Sequence, residues 1–206
     1  MDVMSRASLE QEIYLRALTG YVVGQHIADG YKKVAIITYP DRICSAMASA
    51  LATSLIAKFG YKENFVRVFT YEEGKEKELA KKVKEFNPEA VYISFGGEQR
   101  MSYVSKITKE VLKALLESNY KESIIFHVRT FLATKQLSEL LSDHTLRNYL
   151  MSVKELRVFT ADIQNKKFLF HKIKIENNNI KLEKFSEAQI NDEHISLLKI
   201  SLPPPE

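Results

Sequence analysis

Val34-Ala35-Ile36-Ile37-Thr38, Asn64-Phe65-Val66-Arg67-Val68-Phe69-Thr70 and Ala90-Val91-Tyr92-Ile93-Ser94-Phe95 are three short β-rich runs, and what lies between them decides the fold. The first is stopped by Tyr39-Pro40-Asp41 and the third by Gly96-Gly97. Between the first two, Ile43, Met47, Leu51 and Leu55 recur every four residues, and Ala46, Ala48, Ala50 and Ala52 let that helix approach a sheet closely. Between the second and third, Leu79, Val83 and Phe86 mark a helix that Asn87-Pro88 breaks, because a residue before proline disfavours helical backbone. Apolar strands alternating with helices predict βαβ crossovers and a parallel sheet covered on both faces. Ligands of such sheets bind beyond the carboxyl ends of the strands, so Tyr39–Arg42, Thr70–Glu73 and Phe95–Glu98 converge on one edge where function is expected.

Outward from this centre, Ser8-Leu9-Glu10-Gln11 fits a capping box. The helix it opens is expected to bury Tyr14, Leu18, Tyr21 and Val22 and to end near Asp29-Gly30. A fourth helix carrying Val104, Ile107, Val111 and Leu115 leads to a fourth strand at 123–128. Residues 134–150 then read as one or two shorter helices and 156–160 as a further strand. Alternation over 168–175, a turn at Asn177-Asn178-Asn179 and a return at Ile180–Glu183 predict a hairpin. The expected fold is three-layer α/β: a Rossmann-like, flavodoxin-like parallel sheet in order 2-1-3-4. The strand at 156–160 is added to it, and a C-terminal antiparallel hairpin over 168–185 lies at its edge. Residues 1–160 form the Rossmann-like domain, and 161–206 are the hairpin and tail packed on it.

A length of 206 residues with 45% hydrophobic and 27% charged side chains suits one well-buried domain and excludes a disordered chain. No apolar stretch approaches the ~20 residues of a membrane-spanning helix. The first six residues lack the basic and apolar regions of a signal peptide. The net charge of +4 is modest and lysines interleave with glutamates, as in Lys75-Glu76-Lys77-Glu78, which argues against a nucleic-acid partner. Cys44 is the single cysteine, so an internal disulfide is excluded; it is expected to pack as a small apolar residue despite its place near a helix start. Five scattered histidines show no ligand spacing, and no metal or cofactor is expected. All seven glycines lie at or before Gly97, leaving no phosphate-cradling loop in the second half. Leu202-Pro203-Pro204-Pro205-Glu206 reads as an extended, frayed tail rather than a polyproline ligand.

The dinucleotide-binding, P-loop, zincin and nucleophile-elbow motifs are all missing. The candidate ligand-binding set is therefore the strand-end group Tyr39, Asp41, Arg42, Phe95, Gly96, Gly97 and Glu98. Asp41 or Glu98 suits an ammonium group, Arg42 a carboxylate, and the Gly96-Gly97 amides permit close approach. A plainer reading stands beside it: Asp41 caps the following helix and the glycines turn the chain. Isolated charges without a nucleophile, base and orienter argue against an enzyme. Two alternatives stay open: an enzyme using Asp41 and Glu98 as acid and base, and a nucleotide-sensing regulatory domain.

From Arg6 to about 128 the chain resembles the second lobe of the type I periplasmic-binding-protein family, the branched-chain amino-acid binding and receptor ligand-binding proteins. Arg6 ahead of a helix with Gln11 and Ala17 carries the likeness, with Gly30-Tyr31-Lys32-Lys33-Val34-Ala35-Ile36-Ile37 and Phe69-Thr70-Tyr71-Glu72-Glu73-Gly74. Asn87-Pro88-Glu89-Ala90-Val91-Tyr92 followed by Gly96-Gly97 completes it. The resemblance implies a non-catalytic solute-binding-like or ligand-sensing lobe for a small polar molecule such as an amino acid. Family members close two lobes over a ligand, whereas this chain is about half their size and no first lobe precedes Arg6. The missing wall implies a partner, either a second lobe or chain or a homodimer, with Tyr39 and Phe95 left facing water. A complete chain would be cytoplasmic; a fragment or mature form would be periplasmic or otherwise extracytoplasmic.

Overall fold

A computed structural model describes residues 6–60 and 64–201. The capping box forms: the Ser8 hydroxyl accepts from the Gln11 amide at 3.2 Å, and the Gln11 side chain accepts from the Ser8 amide at 2.8 Å. It starts α1 (Leu9–Gly24). There follow β1 (Val34–Thr38), α2 (Arg42–Phe59), β2 (Val66–Thr70), α3 (Glu76–Phe86), β3 (Ala90–Ser94), α4 (Met101–Glu117) and β4 (Ser123–Phe126). The chain continues through α5 (Val128–Ala133), α6 (Ser138–Leu141), α7 (His144–Ser152), β5 (Leu156–Asp162), β6 (Lys167–Glu176), β7 (Asn179–Gln189) and α8 (Asp192–Ile200).

The strands form one sheet in the order β2-β1-β3-β4-β5-β6-β7. The first five strands in that row run parallel, and β6 and β7 are antiparallel additions. The expected 2-1-3-4 order, the added strand and the edge hairpin are all present. Register aligns Thr38 with Thr70 on one side and Ser94 on the other, so the strands end level at the carboxyl edge. Side chains alternate across the sheet. Ala35, Ile37, Val91 and Ile93 pack with α3, α4, α6 and α7 on one face, while Val34, Ile36 and Tyr92 pack with α1, α2 and α8 on the other.

Four details depart from the sequence reading. The buried face of α1 is Leu15, Arg16, Thr19, Gly20, Val23 and Gly24, whereas Tyr14 and Tyr21 are 46% and 50% exposed. The glycines explain the rotation, since they let α1 lie directly on α2. A Cβ on Gly20 would sit 2.6 Å from the Met47 carbonyl oxygen, and one on Gly24 would sit 2.6 Å from the Ser54 Cβ. The regular helix also stops at Gly24, and turns carry the chain to Gly30. β4 ends at Phe126 because His127 turns out of the sheet to begin α5. β7 runs on to Gln189, and α8 follows it unforeseen, capped by the Asn191 side chain on the His194 amide at 2.8 Å.

α8 packs beside α1, and the Ala7 amide donates to the Ile200 carbonyl at 3.1 Å. The proline tail at 202–206 lies outside the described residues. Among the described residues no helix is long and apolar enough to cross a membrane.

Candidate functional site

At the carboxyl edge, Asp41 caps α2 by accepting from the Cys44 amide at 2.7 Å. Its second oxygen accepts from the Glu98 amide at 3.4 Å and from the Gln99 side-chain amide. The Gln99 carbonyl oxygen in turn accepts from the amides of Gly96 and Gly97 at 3.4 and 3.2 Å. Arg42 and Glu98 form an ion pair at 2.6 Å on the exposed rim. That pairing holds the Glu98 carboxyl below, and the Arg42 guanidinium above, their ordinary values. Asp41, Arg42, Gly96, Gly97 and Glu98 are thus brought together as a helix cap, a turn and an ion pair that satisfy one another. Gln99, the hinge of this cluster, is a residue the sequence reading missed.

The two aromatic members behave differently. Tyr39 is half-buried, stacked on Tyr71 at 5.9 Å and edge-on to Tyr103 at 6.0 Å. Phe95 is 0% exposed and packs against Tyr71 at 5.6 Å, so the expectation that it faces water is corrected. The period-two pattern explains this, because Val91, Ile93 and Phe95 share the inward face. Cys44 is buried as expected, and burial, reinforced by Asp41, pushes its thiol up to about 12.

Behind the Gly96 turn, on the α1 side of the sheet, lies a second polar cluster. Arg16 is only 4% exposed, yet one terminal nitrogen lies 3.2 Å from His127 Nε2 and the other donates to the Gly96 carbonyl at 3.3 Å. An arginine can only donate, so His127 Nε2 accepts, and the ring proton sits on Nδ1, 2.9 Å from the Tyr92 hydroxyl. Burial and the nearby Arg16 charge hold this histidine well below its ordinary pKa, which keeps it neutral. Arg129 donates to the Ser201 hydroxyl at 2.8 Å, which donates to Glu12 at 2.9 Å. Burial first, and the charge of Arg16 second, bring Arg129 down to about 10. Arg16, His127, Arg129 and Ser201 border a cavity of about 150 Å³ whose remaining walls are largely apolar.

The partners here are far apart in sequence, and this is why the cluster escaped notice. The available signals were an arginine inside an amphipathic helix and the His127-Val128-Arg129 run leaving β4. Of the other histidines, His26, His171 and His194 each meet a serine or threonine hydroxyl. Among the described residues no group of three or more His, Cys, Asp or Glu side chains is placed to hold a metal ion.

A family model described as "Uncharacterized protein" matches residues 12–197. A protein of Aquifex aeolicus (strain VF5), also described as "Uncharacterized protein", is 30% identical over 129 residues, which are 62% of this chain and 57% of that protein. Among solved structures, a type 1 periplasmic binding protein from Bordetella pertussis Tohama I superposes with a TM-score of 0.51 at 13% identity, over 69% of this chain and 34% of that one. A putative branched-chain amino acid ABC transporter protein from Rhodospirillum rubrum gives 0.51 at 13%, over 71% and 37%. A solute binding protein of an ABC transporter from R. palustris, in complex with 4-hydroxybenzoate, gives 0.51 at 9%, over 86% and 65%. The chain therefore spans little more than a third of the first two, and under two thirds of the third and of the Aquifex protein. At these identities the structural likeness establishes the fold, a periplasmic-binding-protein-like lobe with a mostly parallel sheet.

Proposed function

The chain belongs to the family described as "Uncharacterized protein" whose model spans residues 12–197, and we propose that it is a non-catalytic ligand-binding-like lobe acting together with a second lobe or chain. The observation that carries this reading is the one-sided carboxyl edge. Its exposed Arg42–Glu98 pair sits on a platform held rigid by Asp41 and Gln99. One wall leaves a small polar ligand poorly desolvated, because ligand sites normally bury most of what they hold. A second surface laid on the platform would supply the missing wall, and a second copy of this chain is the simplest source. The fold shared with solute-binding proteins of B. pertussis and R. palustris supports a small-molecule ligand, an amino acid being the first to try.

The non-catalytic part rests on how the carboxylates are used. Both Asp41 oxygens are committed to backbone and side-chain donors, and Glu98 is committed to Arg42. Neither is left with a nucleophile to activate.

Light scattering of the wild type, Arg42→Glu, Glu98→Arg and the double swap tests the reading, alongside thermal unfolding with amino acids and nucleotides. Each single reversal is expected to lower the associated mass, and the swap to restore it, with unfolding midpoints unchanged. A wild-type chain that stays monomeric and unresponsive to amino acids would remove the proposal. Stabilisation by nucleotides alone would replace it with a nucleotide sensor.

A further inference from the structure

We propose that the half-open pocket bordered by α1, α5, β5, β6 and α8 is a binding site for a small organic monocarboxylate, anchored by Arg16. This site lies on the opposite side of the Gly96 turn from the Arg42–Glu98 rim and does not depend on the reading given to that rim.

The first support is a buried charge that no carboxylate among the described residues contacts directly. Arg16 is 4% exposed, and its two hydrogen-bonding partners, His127 and the Gly96 carbonyl, are both neutral. Among the described residues no carboxylate oxygen lies within 4.0 Å of the Arg16 guanidinium, whereas Arg42 and Arg157 are each held in an ion pair. Glu12, one turn earlier on α1, accepts from the Ser201 hydroxyl, which itself accepts from Arg129, and it acts on Arg16 only through space. Burial imposes the larger penalty on the Arg16 charge, Glu12 and Asp41 favour it only through space, and an anion in direct contact would offset that penalty. A guanidinium offers five donors in a fork matched to a carboxylate, and among the described residues Arg16 uses two of them.

The second support is the shape and lining of the space. Its volume of about 150 Å³ suits a body of one small ring, since an apolar cavity of about that size takes up benzene. Leu15, Val128, Phe159, Phe168 and Leu198 make the walls apolar, and the charged and polar groups gather at Arg16 and Arg129. Inorganic phosphate needs donors on every side, whereas an acid with an apolar body needs them at one end only. One-ended polarity in a small apolar chamber selects a short aliphatic or single-ring carboxylate.

Calorimetry and thermal unfolding of the full chain with benzoate and butyrate test the site, with benzamide and inorganic phosphate as comparisons. Both acids are expected to bind saturably and raise the unfolding midpoint, and benzamide to do neither. Benzoate should also shift the His127 ring nitrogen resonances. Arg16→Gln should weaken binding at least tenfold. Leu198→Trp, which fills the chamber and leaves Arg16 in place, should abolish it, and it carries the test if Arg16→Gln fails to fold. No saturable binding of either acid, equal binding of benzamide, or unchanged affinity in Leu198→Trp overturns the proposal. Binding that is lost in Arg42→Glu yet kept in Leu198→Trp also overturns it, placing the ligand on the exposed rim and leaving the rim reading intact.

Discussion

Gly96 and Arg129 are packed without room for a single methyl group between them: a Cβ on Gly96 would lie 2.5 Å from the Cβ of Arg129. Gly96 also holds φ at +101°, a backbone that side chains rarely adopt. Its carbonyl accepts from Arg16 and its amide donates to Gln99, so one residue joins the exposed rim to the internal cluster. Gly96→Ala is expected to cost at least about 2 kcal/mol, combining backbone strain with overpacking. Gly97→Ala meets side-chain atoms, the Asp41 carboxylate at 2.5 Å and the Cys44 Sγ at 2.9 Å, and displacing Asp41 weakens the α2 cap by about 1 kcal/mol. Urea unfolding of the two variants measures the difference, and equal losses would contradict this account.

Gly20→Ala tests the α1–α2 seam with an unusual sign. In an open helix the change would stabilise by about 1 kcal/mol through propensity. Here the added methyl would stand 2.6 Å from the Met47 carbonyl oxygen and 2.9 Å from the Ala50 Cβ, so the helices must separate. A net loss of about 1–3 kcal/mol in urea unfolding is expected, the range for overpacked cores. A gain in stability would show that the helices are not in direct contact.

Cys44 is expected to resist thiol reagents in the native state. Its thiol is buried between Asp41, Gln99 and Gly97 and raised to about 12, so almost none is thiolate at neutral pH. Labelling by a disulfide reagent should be slow in buffer and prompt in denaturant. Prompt native labelling would mean that the α2 start opens far more readily than its cap implies.

Acid should destabilise the protein through its buried histidines before its carboxylates respond. Burial lowers His194 to about 4, against an ordinary value near 6.5. The unfolded chain therefore binds the extra proton first, and stability rises with pH between about 4 and 6.5. The slope is at most about 1.4 kcal/mol per pH unit for each such group. Glu187, held at about 2 by Lys167 and Lys184, adds its loss only below its ordinary 4.5. His194→Gln, which can still meet the Thr19 hydroxyl, should flatten the upper window and leave the lower one. Unfolding midpoints from pH 3 to 7.5 check this, and an unchanged upper slope would assign it to His26, His127 and His171, which burial also lowers.

The sheet was legible because its central strands are buried on both faces and appear as unbroken apolar runs, while α2, α3 and α4 carry their period plainly. α1 was read on the wrong face for a physical reason. Its packing seam is Thr19, Gly20 and Gly24, which score poorly on hydrophobicity, whereas exposed Tyr14 and Tyr21 score well. α8 carried a usable signal in Asn191 followed by Asp192 and Glu193, an N-cap with an acidic first turn. Asp41, Arg42, Gly96, Gly97 and Glu98 could be grouped because each stands at a strand end. Arg16 and His127 could not, because 111 residues separate them and only the closed sheet brings them within 3.2 Å.

The hydrogen bond from Ala7 to Ile200 means that the described chain enters and leaves the domain at a single point. A unit of this kind can be spliced into a loop of another protein, or hung on one stalk, without separating any pair of its strands. It can also be re-cut. Joining the two ends and opening the exposed turn between β6 and β7 moves the termini to the far end of the sheet and leaves every element of the core unbroken.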